Sequence, residues 1–257
     1  MKTPIFPDVF SLREEHVLIT GGGTGIGFAV ARSMHDAGAR VVLIGRREAE
    51  LAKAVESLGP GSSYLVHDIT QLDAAAPLIE RITKEHGPIT SLVNNAGIHL
   101  KKPAIDTTPE EFQRVLTTHI LGAHALCRAV EPSMIQRKHG TIIFMASMAS
   151  LFGIPQVVAY SAAKSAMIGM LRTMATEFSA HGIRVNAIAP GWIETEMSRK
   201  AMEGDPARRT KIISRTPMAK FGDPSDVGWA AVYLASPASK FVTGAVLPVD
   251  GGASMGF

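Results

Sequence analysis

At 257 residues, 46% hydrophobic and 19% charged, the chain has the size and composition of one globular domain with a large buried core. Its longest apolar runs, such as residues 41–44 and 141–146, are far too short to cross a bilayer, and residues 1–10 lack the apolar core of a signal peptide, so no membrane partner and a cytoplasmic location are expected. Cys127 is the only cysteine, which excludes an intrachain disulfide and a cysteine-based metal centre, and the net charge of +3 is spread without the aromatic-rich basic cluster of a nucleic-acid binder.

Short β-branched runs alternate with helical patterns from end to end. Strands are predicted at residues 16–20, 40–45, 63–68, 89–94, 141–147, 184–189 and 245–249, and helices near 26–37, 47–57, 72–86, 109–136, 159–180 and 224–235. Strands apolar on both faces and joined by helices predict an α/β fold over residues 1–257, a Rossmann-type doubly wound parallel sheet. Ligands of such sheets bind at the carboxyl ends of the strands. Cys127 falls in a helical stretch and is expected to be a small buried thiol.

The first strand runs into Thr20-Gly21-Gly22-Gly23-Thr24-Gly25-Ile26-Gly27 and then an Ala-rich helix. Glycines let the backbone turn sharply and approach a pyrophosphate, which the free N–H groups and dipole of the helix N-terminus attract. A flexible turn without a ligand is the competing reading; the position between strand and helix favours a cofactor. The second strand ends in Gly45-Arg46-Arg47, where NAD-binding folds usually place a carboxylate for the ribose. Guanidinium groups pair with phosphate, so NADP(H) is expected over NAD(H), with Arg46 the main ligand and Arg47 a helper.

Ser147 ends the fifth strand, where a hydroxyl can orient a substrate oxygen, with Ser150 as its rival. Tyr160 and Lys164 stand four residues apart on one helical face. A free tyrosine titrates at about 10; a nearby ammonium, together with an oxidised nicotinamide, is expected to lower that value and make Tyr160 a usable acid and base. The stretch from 193 to 222 is too long for a simple connector and is read as a substrate lid.

Taken together, T-G-x-x-x-G-x-G at Thr20–Gly27, Asn94-Asn95-Ala96-Gly97, Ser147 with Tyr160 and Lys164, and Pro190-Gly191 occur in an order that resembles the short-chain dehydrogenase/reductase family over nearly the whole chain. The resemblance implies hydride transfer between nicotinamide and a carbonyl or alcohol carbon. It implies cofactor contacts at Gly21, Gly23, Thr24, Gly25, Ile26 and Gly27, at Asp68 and Ile69 beside the adenine, and at Asn95, Ala96 and Gly97. It further implies contacts at Tyr160, at Lys164 on the nicotinamide ribose, and at Pro190, Gly191, Ile193 and Thr195 around the nicotinamide. A homotetramer built on the helices near 109–136 and 159–180 and on the C-terminal tail ending in Phe257 is also implied.

One position departs from the family. Where its members carry an Asn that anchors a proton-relay water, this chain has His119, read as a retained structural residue that titrates near neutrality and could join a relay. The substrate is expected to be a small molecule. His99, Lys101 and Lys102 after the Asn-Asn-Ala-Gly turn, and Arg199, Lys200, Arg208, Arg209, Lys211 and Arg215 in the lid, suit a carboxylate, or are a solvated face. Trp192 is a candidate sugar-stacking wall or a structural aromatic. A sugar-acid or polyol oxidoreductase of the gluconate 5-dehydrogenase kind is the first reading. A 3-oxoacyl-[acyl-carrier-protein] reductase or other ketone reductase is the alternative; Lys138 and His181 stand where such reductases commonly carry arginines. A non-catalytic NADP(H) sensor on the same fold is the alternative of a different class.

Overall fold

The computed structural model describes residues 6–196, 198–199 and 206–255; Lys200, the Arg208 side chain and the tail end at Phe257 lie outside the described residues. Seven described strands form one sheet in the order β3-β2-β1-β4-β5-β6-β7. They are β1 (His16–Thr20), β2 (Arg40–Gly45), β3 (Ser62–Val66), β4 (Ser91–Asn94), β5 (Gly140–Met145), β6 (Ile183–Pro190) and β7 (Val246–Val249). Every pairing is parallel. The order reverses between β1 and β4, which opens a crevice at their carboxyl ends.

Alternation along each strand divides the core. Leu18, Val42 and Ile44 point to one face, where α3 (Ala75–His86), α5 (Gly122–Arg137) and α6 (Val158–Phe178) bring Ile79, Ile82, Leu126, Val130 and Leu171. Val17, Ile19, Val41 and Leu43 point to the other, against Val30 and Met34 of α1 (Gly25–Asp36) and Leu51 of α2 (Glu48–Leu58). Val227 and Ala231 of the last helix, α8 (Pro224–Ala235), pack on that face too. Each fully buried Val, Leu or Ile contributes about 1.5–3 kcal/mol, so both helical layers are firmly seated. Cys127 is buried as expected, and burial pushes its thiol up to about 12.

At the amino ends of the strands, Glu15 accepts hydrogen bonds from Thr90 Oγ1 (2.5 Å), Ser91 Oγ (3.0 Å) and His139 Nε2 (2.9 Å). This buried carboxylate ties the starts of β1, β4 and β5 together and leaves the opposite edge open for chemistry.

The predicted elements all form, most with ends within two residues. Two expectations need correction. The segment 109–136 is not one helix: α4 (Pro109–Leu116) is followed by a π-helical turn at Thr117–Leu121 before α5 begins. The widened turn carries His119, whose ring bonds to the Ile98 backbone, and Gly122 then passes so close to the Ile69 carbonyl that a Cβ would overlap it. The fifth strand stops at Met145, two residues short of Ser147, because Ser147 caps a short 3-10 turn at Met148–Ser150. Within the stretch 193–222, α7 (Pro206–Ser214) forms, and the two ends pair through an isolated bridge between Ile193 and Gly222.

Candidate active site

The glycine turn and the end of β4 lock together over the crevice. Gly21 and Gly25 hold φ of +65° and +58°, a region that favours glycine. Thr20 Oγ1 accepts the N–H groups of Asn95 (2.9 Å) and Ala96 (2.8 Å), while Asn95 Nδ2 donates to the carbonyls of Thr20 (3.0 Å) and Gly21 (3.3 Å). A Cβ on Gly27 would overlap the Gly21 carbonyl and Asn95 Nδ2; one on Gly97 would overlap the His119 ring. The turn thus approaches its neighbours as closely as backbone can.

This cradle fits a dinucleotide. Thr24, the N-cap of α1, makes no capping bond with its side chain, which leaves first-turn N–H groups of the helix for a pyrophosphate. Its hydroxyl instead accepts Arg47 Nη2 at 3.0 Å. Arg46 is 68% exposed, with Nη1 3.9 Å from Asp68 Oδ2, a loose pair that an incoming phosphate can displace. Burial raises the Asp68 carboxyl, but bonds from Thr70 N (3.0 Å) and Oγ1 (2.8 Å) prevail and hold it below the usual range. Ile26 flanks the turn, and Gly23 lies against Glu50 and Leu51 of α2. The Ile69 side chain, by contrast, is packed in the core.

Across the crevice, Pro190 ends β6, and the N–H of Gly191 donates to Val249 (2.9 Å). Ile193 is buried against Gly222, and Thr195 faces the glycine turn, its methyl 3.8 Å from where a Gly25 Cβ would stand.

Ser147, Tyr160 and Lys164 converge. The Ser147 side chain hydrogen-bonds that of Tyr160, and Lys164 Nζ lies 5.5 Å from the tyrosine ring centroid. Lys164 is 3% exposed and donates to the Met145 carbonyl at 2.5 Å. Ser150 is no rival: its hydroxyl is engaged with the Ser147 main chain. The lowering expected from Lys164 together with an oxidised nicotinamide does not come from the protein's own groups alone. Burial raises the phenol, outweighing the Ser147 bond. Burial also pushes Lys164 down to about 7, so a desolvated amine supplies less positive charge than an exposed one would.

His119 is 1% exposed and stands edge-on to Tyr160, ring centroids 5.5 Å apart. Its Nε2 lies 2.8 Å from the Ile98 carbonyl oxygen and 3.1 Å from the Ile98 N–H, so it bonds one or the other according to tautomer, and its Nδ1 is buried with no partner among the described residues. Burial, then the Lys164 charge, pushes it down to about 3, so the expected titration near neutrality is corrected: the ring stays neutral at any working pH. His99 is exposed and its ring is tilted at 42° to that of Tyr160, centroids 5.1 Å apart. Lys102 is committed to Glu111 at 3.0 Å, and Arg209 lies over the Phe221 ring. Trp192 uses its carbonyl to accept the Gly222 N–H (2.9 Å).

Sequence reasoning missed the parts played by Thr20 and by the carbonyls of Met145 and Ile98. A Thr closing the strand before a glycine turn was a usable signal; backbone carbonyls leave none.

The comparisons agree with this geometry. A family model described as "Enoyl-(Acyl carrier protein) reductase" matches residues 21–254. The 5-keto-D-gluconate 5-reductase of Escherichia coli K12 is 39% identical over 253 residues, covering 95% of this chain and 97% of that protein. Gluconate 5-dehydrogenase of Gluconobacter oxydans 621H is 35% identical over 249 residues, 96% of this chain and 97% of that one. A crystal structure of a gluconate 5-dehydrogenase from Burkholderia cenocepacia J2315, in complex with NADP and tartrate, matches with a TM-score of 0.92 at 34% identity, covering 97% and 99% of the two chains. A single parallel sheet with a glycine-rich crevice, a Ser-Tyr-Lys cluster at its mouth and relatives of this kind over nearly its whole length make the chain an oxidoreductase of the short-chain dehydrogenase/reductase family, near its gluconate 5-dehydrogenases.

Proposed function

We propose that the protein moves a hydride between NADP(H) and the carbonyl or secondary alcohol of a sugar acid or polyol, with Tyr160 as the general acid and base. The observation that carries this reading is the Ser147 hydroxyl on Tyr160, with the Lys164 ammonium beside the ring at the crevice mouth. The nicotinamide, when bound, supplies or accepts the hydride. Tyr160 gives its proton to the developing alkoxide, and its raised pKa keeps the phenol neutral and ready for reduction at ordinary pH. Ser147 donates to the same oxygen as charge builds there. Lys164, near neutrality in its own titration, returns a proton to the phenolate.

A sugar acid is favoured by the names of the E. coli and Gluconobacter relatives, by the tartrate in the Burkholderia structure, and by exposed Lys211 and Arg215 in the lid. The test is nicotinamide absorbance with sugar acids, polyols, acyl thioesters and plain ketones, each with both cofactors. The highest kcat/KM is expected for a keto sugar acid with NADPH; a maximum with an acyl thioester overturns the substrate assignment. A homotetramer, expected from the family, is part of the same reading.

Arg46 and Arg47 set the choice of cofactor. Arg46→Ala removes a charge-assisted phosphate contact of about 1.5–3 kcal/mol, so NADPH affinity falls by about 10- to 100-fold while NADH affinity hardly moves. Equal losses in fluorescence titrations with the two cofactors refute the assignment.

His119 acts as a fixed neutral hydrogen-bonding group through its unpartnered Nδ1, not as a titrating relay. His119→Asn keeps a neutral donor and acceptor in place and therefore lowers kcat by less than about tenfold, the scale of one lost hydrogen bond. The pH–rate profile of the variant retains every limb of the parent's. Loss of a limb above pH 5 would show that the imidazole does titrate in turnover.

A further inference from the structure

The arginines that follow β2 are held in different directions. Arg47 reaches back to the glycine turn, where its Nη2 donates to Thr24 Oγ1 at 3.0 Å. Arg46 turns toward the neighbouring strand end instead, with Nη1 3.9 Å from Asp68 Oδ2. The sheet register brings these two residues together. Gly45 of β2 stands beside Val66 of β3, and the His67 N–H donates to the Gly45 carbonyl at 2.8 Å. Arg46 and Asp68 therefore lie just past two strand ends that are bonded to each other.

The carboxylate is fixed, and the guanidinium is not. Asp68 Oδ1 accepts from Thr70 N at 3.0 Å and from Thr70 Oγ1 at 2.8 Å, which leaves Oδ2 to face Arg46. Although burial opposes ionisation, the Thr70 bonds and the Arg46 charge hold the carboxyl below its usual range, so it is an anion at working pH. The Arg46 side chain is 68% exposed, and Asp68 is its one ion-pair partner among the described residues. Glu48, nearer to it along the chain, accepts from the Tyr64 hydroxyl at 3.5 Å.

We propose that Asp68 is a specificity residue that restrains the preference for NADP(H) by competing with the cofactor's 2′-phosphate for Arg46. The inference rests on the cofactor reading above, in which Arg46 is the main phosphate ligand. The phosphate gains the guanidinium only as it leaves the carboxylate, and an exposed ion pair is weak enough to be exchanged. A phosphate offers more charge and a bidentate fit, so the exchange goes forward, but it returns less affinity than an unpaired arginine would give. NAD(H) brings no group that needs Arg46 and leaves the pair intact. Both cofactors carry the same adenine, so any contact of Asp68 with the base acts on the two alike.

The experiment measures dissociation constants for NADPH and NADH by fluorescence titration of the full-length parent, Asp68→Asn, Arg46→Ala and the double variant. Asparagine keeps an oxygen for Thr70 and removes the charge. Asp68→Asn is expected to raise the NADPH-over-NADH affinity ratio by about two- to fivefold, the scale of one exposed ion pair. In the Arg46→Ala background the same change is expected to leave the ratio where Arg46→Ala alone puts it. An unchanged or lower ratio in Asp68→Asn overturns the proposal. So does an equal gain with and without Arg46, which would mean that Asp68 acts on the phosphate directly. If Arg46→Ala alone leaves the parent's ratio untouched, the cofactor assignment falls and the proposal falls with it. A ratio that collapses in Arg46→Ala but does not move in Asp68→Asn sinks the proposal alone.

Discussion

Replacing Tyr160 with Phe is expected to lower kcat by about 10²–10⁴-fold, the contribution of a placed general acid, with NADPH affinity nearly unchanged. The phenyl ring keeps its contacts with the His99 and His119 rings, and Lys164 keeps its bond to the Met145 carbonyl, so the fold and the ribose side of the cleft have no reason to shift. Only the proton is removed. Ser147 loses its partner but retains the Ala149 N–H at 3.1 Å, which anchors its hydroxyl oxygen. Single-turnover absorbance and a parallel fluorescence titration separate the two effects. Turnover at the parent's rate would show that Tyr160 is not the acid, whereas NADPH binding by a parent that turns over no substrate would make the non-catalytic sensor the better account of the crevice.

The second large effect concerns backbone contact. A methyl group on Gly27 would overlap the carbonyl oxygen of Gly21 and the amide of Asn95, neither of which can swing away, because Asn95 is bonded to Thr20 and Gly21 at once. Gly27→Ala therefore pries the glycine turn from the end of β4. Overpacking of this kind costs about 1–3 kcal/mol or more, and each kcal/mol lowers Tm by about 2–4 °C in a chain of this size. NADPH binding is expected to fall by more than the stability loss alone implies, because the displaced turn is the cofactor cradle. Gly169→Ala is the control: a Cβ there meets nothing within 4 Å, and the position is inside α6. There Ala should stabilise by up to about 1 kcal/mol through helix propensity. A melting curve for Gly27→Ala that overlays the parent's would contradict the packing described here.

The fold could be read in advance because its strands are short, apolar and regularly spaced, and their alternation assigns each residue to a helical layer. Ser147, Tyr160 and Lys164 were legible for a different reason: a motif with fixed spacing on a helix and a strand end leaves little freedom in three dimensions. The environment of those groups was not legible. The protein's own groups raise the pKa of Tyr160, and the fall expected from an ammonium together with an oxidised nicotinamide is opposed by desolvation, which depends on how completely loops close over both groups. The same holds for His119, whose neutrality follows from being 1% exposed beside Lys164. The π turn at Thr117–Leu121 escaped notice because its hydrophobic pattern differs from an ordinary helix by a single residue of register. Lys102, which by its charge suits a substrate carboxylate or a solvated face, is instead paired with Glu111, nine positions along the chain.

The paired ends of the long excursion after β6 carry a consequence for diversification. The Gly222 N–H donates to Trp192, and the Glu194 N–H donates back to Gly222 at 2.8 Å, so the chain leaves and re-enters the scaffold through a closed neck. Beyond that neck the excursion begins with Thr195, which is bonded to Ser198, so changes further along the arm leave the strand end at Pro190 and the Tyr160 cluster on the scaffold side of the neck. Evolution, or an engineer grafting the segment of another relative, can exchange the arm beyond the neck as a cassette while Ser147, Tyr160 and Lys164 stay in register.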